Sequence, residues 1–309
     1  MKATRAVQKI LSNYEADNPG VKGNLCRMLM NGKLGGTGKM IILPVDQGFE
    51  HGPARSFAPN PAAYDPHYHY QLAIDAGLNA YAAPLGMLEA GADTFAGQIP
   101  TILKVNSANS LIPSEAIKDQ AITASVDDAL RIGASAIGFT IYPGSSAGLD
   151  MFEEISAMRE EAAAKGVATV IWSYPRGEAI SKDGETAIDI AAYAAQIAAL
   201  LGAHIIKIKL STDHLELGEA KKVYEAEKID ISTQTARVRN CVDAAFAGRR
   251  IMVFSGGSKK GIDSIYDDAR AIRDGGGNGS IIGRNTFQRE RGEALEMLNN
   301  LVDIYKGKA

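Results

Sequence analysis

The sequence has few aromatic residues, few cysteines and no excess of positive charge, and each shortage argues against a class of protein. Aromatic residues make up 6% of the 309 residues and the formal net charge is −3, so neither base-stacking surfaces nor a basic field indicates a nucleic-acid partner. Two cysteines in a chain of this length do not form a disulfide scaffold, which favours the reducing cytoplasm. The chain contains no apolar run long enough to span a membrane and no signal peptide at its start, and its histidines show no zinc-site spacing.

The rest of the composition is that of a globular protein, with 46% hydrophobic and 22% charged residues. Eight short apolar or β-branched runs recur, and helical patterns follow most of them. The predicted strands are Met40–Asp46, Asn79–Ala83, Thr101–Asn106, Ser135–Tyr142, Val167–Tyr174, Ala203–Lys209, Arg250–Gly257 and Gly279–Arg284. This alternation predicts one α/β domain over residues 1–309, a (β/α)8 TIM barrel. A doubly wound open sheet is the alternative, but it needs fewer strands, and no G-x-G-x-x-G motif follows the first run.

Two segments extend this minimal barrel plan. Residues 1–38 form an N-terminal extension before the first predicted strand, and residues 211–232 form a long charged insertion after the sixth. Loops that follow barrel strands lie on the face where barrel sites are built. We nevertheless interpret most charges of the insertion as a solvated helical decoration.

Polar side chains gather at the carboxyl ends of the predicted strands. Strand one ends in Asp46, and strand five ends in Trp172 and Tyr174, with Arg176 just beyond. The amino ends of the strands carry mostly apolar or turn residues. Because barrel active sites are built at the carboxyl ends of the strands, this asymmetry predicts an active site on that face.

Two lysines lie within the sixth predicted strand, Lys207 and Lys209, and side chains two residues apart share one face of a strand. If that face is the barrel lumen, Lys207 lies inside and Lys209 lies nearer the mouth. Burial lowers the pKa of an amine, and a free amine attacks a carbonyl to form a Schiff base. For a single lysine within a strand, an ion pair, for example with Asp46, is the more common explanation. The polar residues at neighbouring strand ends favour the chemical role here.

Tyr174 and Asp46 are candidates for proton transfer. A tyrosine acts as a general acid or base once a neighbouring cation lowers its pKa, and its alternative role is that of a rim aromatic. A carboxylate at a strand end orients hydroxyl groups or balances a cationic imine. The alternative for Asp46 is a cap on the following loop.

The loops after strands seven and eight predict a phosphate site. The candidate residues are Ser255, Gly256, Gly257, Gly283 and Arg284. Backbone N–H groups of glycine-rich loops at this place in a barrel commonly bind phosphate, and the planar guanidinium of Arg284 suits the same ligand. Arg176 is a candidate for a second anionic group.

Six motifs together resemble the archaeal and bacterial branch of class I fructose-1,6-bisphosphate aldolases. They are ILPVDQGFEHGP (Ile42–Pro53), GFTIYPGS (Gly138–Ser145), VIWSYPRG (Val170–Gly177), IIKIK (Ile205–Lys209), SGG (Ser255–Gly257) and IIGRNTFQR (Ile281–Arg289). The resemblance covers the chain from about Gly35 to its end. It implies a (β/α)8 barrel, a Schiff-base lysine, no metal or other cofactor, and reversible cleavage of fructose 1,6-bisphosphate to dihydroxyacetone phosphate and glyceraldehyde 3-phosphate.

Position by position, the resemblance assigns the Schiff-base nucleophile to Lys207 and the proton-transferring tyrosine to Tyr174. It adds Asp46 and Trp172 to the same site and sets Arg176 against the second phosphate. The contacts to the first phosphate fall on Ser255, Gly256, Gly257, Gly283 and Arg284. It also suggests a homo-oligomer, such as a decamer of two pentameric rings.

The sequence departs from the family pattern at one loop. After strand three many relatives have an NGKT-like loop, whereas this chain reads VNSANSL and lacks that lysine.

The alternative functions are those of a sister Schiff-base aldolase, a transaldolase-like enzyme or a thiolase acting on another phosphorylated sugar. A metal-dependent aldolase needs a histidine set that is missing here, and a non-enzymatic phosphate-binding barrel would form no reducible imine.

Overall fold

The computed structural model describes residues 2–113, 115–255 and 261–308, and it forms a closed barrel of eight parallel strands. The strands are β1 (Met40–Pro44), β2 (Ala80–Pro84), β3 (Thr101–Lys104), β4 (Ala136–Ile141), β5 (Ala168–Ser173), β6 (Ile205–Lys209), β7 (Ile251–Ser255) and β8 (Gly279–Ile281). They follow one another around the barrel in chain order, and β8 closes it by pairing Gly279 with Met40 of β1. All eight predicted strands are confirmed, although β8 ends at Ile281 and not at the predicted Arg284.

Helices surround the barrel and cover one of its ends. They are α1 (Arg5–Leu11), α2 (Pro19–Met30), α3 (Gln47–His51), α4 (Pro53–Phe57), α5 (Pro66–Ala76), α6 (Leu85–Glu89), α7 (Val126–Arg131), α8 (Gly148–Ala164), α9 (Ile188–Leu200), α10 (Gly218–Ala226), α11 (Gln234–Ala244), α12 (Ile262–Asp274), α13 (Arg284–Phe287) and α14 (Arg291–Tyr305). Short 3-10 turns span Pro61–Tyr64 and Gly184–Thr186. In the described part of the chain no helix combines the length and the apolar character needed to cross a bilayer.

The barrel core has two faces because strand side chains alternate. Ile42, Ile102, Val170 and Val253 belong to a cluster that fills the lumen. Their chain neighbours, such as Ile41, belong to a second cluster that packs against the surrounding helices. The predicted alternation of side chains is therefore confirmed. Lys207 and Lys209 lie on the same face of β6 as Ile205, which is the face toward the lumen.

The N-terminal extension packs against the amino end of the barrel. Val7, Leu25 and Met28 are fully buried in the same cluster as the lumen residues. The Tyr14 hydroxyl donates a hydrogen bond to the His204 carbonyl at 2.5 Å and accepts one from the Ile251 amide at 3.1 Å. The extension thus closes the end of the barrel opposite the strand carboxyl ends.

The insertion after β6 divides into an anchored part and an exposed helix. The carboxylate of Asp189 on α9 accepts hydrogen bonds from the amides of Glu216 at 3.0 Å and Leu217 at 2.8 Å. Helix α10, which follows, has no buried residue. This helix matches the predicted solvated decoration, whereas residues 211–217 are attached to the barrel.

Candidate active site

The carboxyl ends of the strands surround a cavity. The predicted residues that line it are Asp46, Tyr174, Arg176, Lys207, Ser255, Gly283 and Arg284. Predicted residues Gly256 and Gly257 lie outside the described residues. The fold therefore brings side chains from β1, β5, β6, β7 and β8 to one place, because parallel barrel strands end on the same face.

Lys207 lies inside the barrel, with 5% of its surface exposed. Its Nζ atom is 5.0 Å from the centre of the Tyr174 ring and 5.8 Å from that of Trp172, which pairs with Lys207 across β5 and β6. Burial lowers the pKa of Lys207 to about 8, although the Asp46 and Glu50 carboxylates favour the ammonium. A useful fraction of free amine therefore exists near neutral pH.

Trp172 fills the lumen beside Lys207 and depends on a glycine across the sheet. The indole is 1% exposed, and a Cβ atom at Gly138 of β4 would lie only 1.9 Å from the Trp172 Cζ3 atom. Carbon atoms at van der Waals contact lie about 3.5–4.0 Å apart, so only glycine leaves room for the ring here. The glycine thus allows Trp172 to exclude water from the space around Lys207.

Tyr174 has a protonated hydroxyl at neutral pH. Burial raises the pKa of Tyr174 well above its ordinary value, the Asp46 and Glu50 carboxylates raise it further, and Arg176 lowers it less. Arg176 does lower this pKa, as expected of a neighbouring cation, but burial outweighs it and the net shift is upward. Tyr174 is equipped to donate a proton to a reacting atom, and a phenolate is disfavoured.

Asp46 and Glu50 lie at the start and near the end of the short helix α3, which follows β1. The Asp46 side chain makes no capping hydrogen bond at this helix, so the loop-cap alternative is wrong. Burial and the nearby Asp46 carboxylate raise the pKa of Glu50, and the ammonium groups of Lys104 and Lys207 oppose this. Sequence reasoning missed Glu50, although four-residue spacing on a helix would have aligned it with Asp46.

Lys104 at the end of β3 is a second buried cation near the site. It is 2% exposed, its Nζ atom lies 5.9 Å from the Trp172 ring centre, and it donates a hydrogen bond to the Asn106 carbonyl. Burial lowers the pKa of Lys104, and the Asp46 and Glu50 carboxylates raise it. Lys104 falls within the predicted strand Thr101–Asn106, but its closeness to Trp172 depends on barrel closure.

The predicted phosphate residues within the described part of the chain, Ser255, Gly283 and Arg284, lie at or just after the carboxyl ends of β7 and β8. Ser255 ends β7 opposite Lys209 of β6. Gly283 precedes α13, and a Cβ atom there would come within 2.8 Å of the Pro44 carbonyl, so the close approach of β8 to β1 requires glycine. Arg284 begins α13 and lines the cavity.

Among residues 2–113, 115–255 and 261–308, no group of three or more His, Cys, Asp or Glu side chains is arranged to share a metal ion. The polar groups of the cavity include two amines, two guanidinium groups, two carboxylates and a phenol. Such a set suits imine formation and proton transfer on an anionic carbonyl compound.

Comparison with protein families shows that residues 40–289 match the model of the DeoC/LacD family aldolases. A probable class 1 fructose-bisphosphate aldolase of Chlamydia muridarum is 34% identical over 313 residues, covering 97% of this chain and 88% of that protein. A class 1 fructose-bisphosphate aldolase of Thermoproteus tenax is 37% identical over 273 residues, covering 88% of this chain and 91% of that protein.

Solved structures show the same likeness in three dimensions. An archaeal fructose 1,6-bisphosphate aldolase has a TM-score of 0.74 and 35% identity, covering 87% of this chain and 94% of its own. A second archaeal structure, whose catalytic lysine is covalently bound to the carbinolamine intermediate of the substrate, has a TM-score of 0.73 and 34% identity. It covers 86% of this chain and 94% of its own.

Proposed function

The chain belongs to the DeoC/LacD family of aldolases, within the class 1 fructose-bisphosphate aldolases, and we propose that it reversibly cleaves fructose 1,6-bisphosphate through a Schiff base on Lys207. The products are dihydroxyacetone phosphate and glyceraldehyde 3-phosphate. The observation that carries the assignment is a buried lysine with a pKa of about 8 at the functional end of the barrel. The Tyr174 ring, whose centre lies 5.0 Å from the Lys207 Nζ atom, supports the assignment.

In the proposed cleavage, the free amine of Lys207 attacks the C2 ketone of the open-chain sugar and loses water to give an iminium. The iminium withdraws the electrons of the C3–C4 bond while a base removes the C4 hydroxyl proton. Glyceraldehyde 3-phosphate leaves, and the remaining enamine is protonated at carbon by Tyr174. Hydrolysis of the new iminium releases dihydroxyacetone phosphate and restores the amine.

The other residues of the site are proposed to position the substrate and to shield the imine. Asp46 positions hydroxyl groups and stabilises the cationic intermediate, and Trp172 keeps water from the imine. One phosphate binds beside Arg284, and Arg176 faces the other. Two anchored ends convert binding into orientation of the bond that breaks. The loop residues Ser255, Gly256, Gly257 and Gly283 complete the first phosphate site in this proposal.

Reductive trapping tests the nucleophile directly. Borohydride added with dihydroxyacetone phosphate should leave a covalent adduct on the peptide that contains Lys207, and a coupled cleavage assay with EDTA present should retain full activity. Lys207→Ala should lose both signals. Lys209→Ala, the same substitution on the same strand, is the matched control and should still be trapped. An adduct on Lys209 or Lys104, or no adduct at all, would overturn the assignment.

We further infer a cytoplasmic homo-oligomer, such as a decamer of two pentameric rings. The unpaired state of Cys26 and Cys241 supports a reducing compartment. Apolar side chains exposed on the helices, including Leu149 at 73% and Leu200 at 67%, support burial against further copies of the chain. Light scattering of the purified protein tests the assembly, and a monomer at micromolar concentration would exclude it.

A further inference from the structure

One carboxylate at the mouth of the cavity faces three cations. Glu185 Oε2 lies 3.6 Å from Lys209 Nζ and 3.8 Å from Arg176 Nε, and Oε1 lies 3.0 Å from Lys182 Nζ. The Glu185 side chain is 19% exposed and that of Lys209 is 22% exposed, whereas that of Lys182 is 86% exposed. The Arg176 side chain is 36% exposed, so the pairs of Glu185 with Arg176 and Lys209 are less exposed than its pair with Lys182, and we call them the two sheltered pairs.

These two sheltered cations belong to the catalytic cavity. Both Arg176 and Lys209 line it, and their charged groups lie 5.3 and 5.7 Å from the centre of the Tyr174 ring. Glu185 lines an adjoining outer cavity that also contacts Arg176. A negative side chain thus lies against the positive charges where the second phosphate of the proposed substrate would bind.

Hydrogen bonds within the loop hold the backbone at Glu185 in place. Its amide donates to the Ser181 carbonyl at 3.2 Å, and the Gly184 amide donates to the Ser181 hydroxyl oxygen at 2.9 Å. Ser181 in turn donates from both its amide and its hydroxyl to the Glu216 carboxylate, each at 2.8 Å. Glu216 belongs to the anchored part of the insertion after β6, so this insertion braces the turn that carries Glu185.

The long N–O distances of the two sheltered pairs allow a stronger anionic ligand to displace Glu185. Separations of 3.6 and 3.8 Å exceed the roughly 2.7–2.9 Å of a charge-assisted hydrogen bond. A phosphate oxygen that forms such hydrogen bonds to Arg176 and Lys209 would therefore interact with them more strongly than Glu185 does. Only a ligand already anchored at its other end has a high local concentration at this position.

We propose that Glu185 is a specificity-determining residue: its carboxylate occupies the Arg176–Lys209 cation pair in the free protein and is displaced by the second phosphate of a tethered substrate. The inference rests on the proposed function for the identity of the substrate. The Glu185 carboxylate excludes free inorganic anions from the cation pair. It is displaced by a bisphosphate that Lys207 and the first phosphate site already hold. The insertion after β6 then has a function, which is to keep the Glu185 carboxylate in position.

Replacement Glu185→Gln removes the competing charge while the Ser181–Glu216 contacts keep the turn folded. Inorganic phosphate should then bind roughly three- to tenfold more tightly, because two weak ion pairs no longer compete. The KM for fructose 1,6-bisphosphate should fall by a similar factor. We assign the phosphate on C6 to the Arg176–Lys209 pair, so the KM for fructose 1-phosphate should not change. Glu219→Gln is the matched control, since Glu219 pairs with Lys222 on the exposed helix α10.

Binding of inorganic phosphate is measured by calorimetry, which needs no catalytic turnover, so the result does not depend on the proposed activity. The effect of Glu185→Gln should become smaller in an Arg176→Gln background, where only Lys209 remains for the anion and Glu185 to share, as a double-mutant cycle would show. Unchanged or weaker phosphate binding in Glu185→Gln, or an equal effect in the Arg176→Gln background, overturns the inference. If borohydride trapping fails while inorganic phosphate binds to the variants as expected, only the proposed function is overturned.

Discussion

Replacement of Gly138 by alanine should displace the Trp172 indole and expose Lys207 to water. The added Cβ atom would lie 1.9 Å from Cζ3 and 2.2 Å from Cη2 of the ring. Ordinary contact requires about 3.5–4.0 Å, so the ring must move by roughly 1.5–2 Å. Overpacking of this kind in a filled core costs about 1–3 kcal/mol of stability, so most of the protein should still fold.

The chemical consequence follows from the pKa of Lys207. Burial is the largest cause of the lowering of this pKa to about 8, so entry of water raises it again toward that of an ordinary lysine. Each pKa unit costs about tenfold in free amine at neutral pH. We therefore expect the rate of borohydride trapping with dihydroxyacetone phosphate at pH 7 to fall by about tenfold or more in Gly138→Ala.

Fluorescence provides an independent measurement, because Trp172 is the one tryptophan in the sequence. Its emission should shift to longer wavelength in Gly138→Ala as water reaches the ring. Gly86→Ala is the matched control, since no atom lies within 4 Å of the Cβ position at Gly86. A Gly138→Ala protein with the wild-type emission maximum and the wild-type trapping rate would refute the reasoning.

Three further predictions concern protonation and the closed end of the barrel. The trapping rate of the wild-type protein should fall about tenfold per pH unit below pH 8, because the free amine of Lys207 disappears there, and a rate independent of pH from 6 to 9 would contradict this. Tyr174→Phe should still form the imine but should exchange the C3 proton of dihydroxyacetone phosphate with solvent at least roughly 100-fold more slowly; normal deuterium exchange would exclude Tyr174 as the proton donor. Tyr14→Phe removes one hydrogen bond from the buried His204 carbonyl and one from the Ile251 amide, which keep only a 3.3 Å hydrogen bond to each other, so urea unfolding should show a loss of about 1–3 kcal/mol. A loss below about 0.5 kcal/mol would contradict the role of the extension.

The sequence by itself determined the barrel and much of the site. Strand side chains alternate, so the spacing of Lys207 and Lys209 placed both on one face before any fold was known. Parallel strands in a closed barrel all end on one side, so Asp46, Tyr174 and Arg284 had to approach one another. These conclusions needed only local periodicity and the rule of barrel closure.

Only the tertiary structure decided how strongly the site residues act on one another. The protonation of Tyr174 depends on whether burial or Arg176 dominates, and burial is a property of the whole packed site. The fit of Trp172 over Gly138 and the pairing of Glu185 with Lys209 join residues that lie far apart in the chain. Such contacts depend on distances of a few ångströms between different strands and loops, and no sequence period encodes those distances.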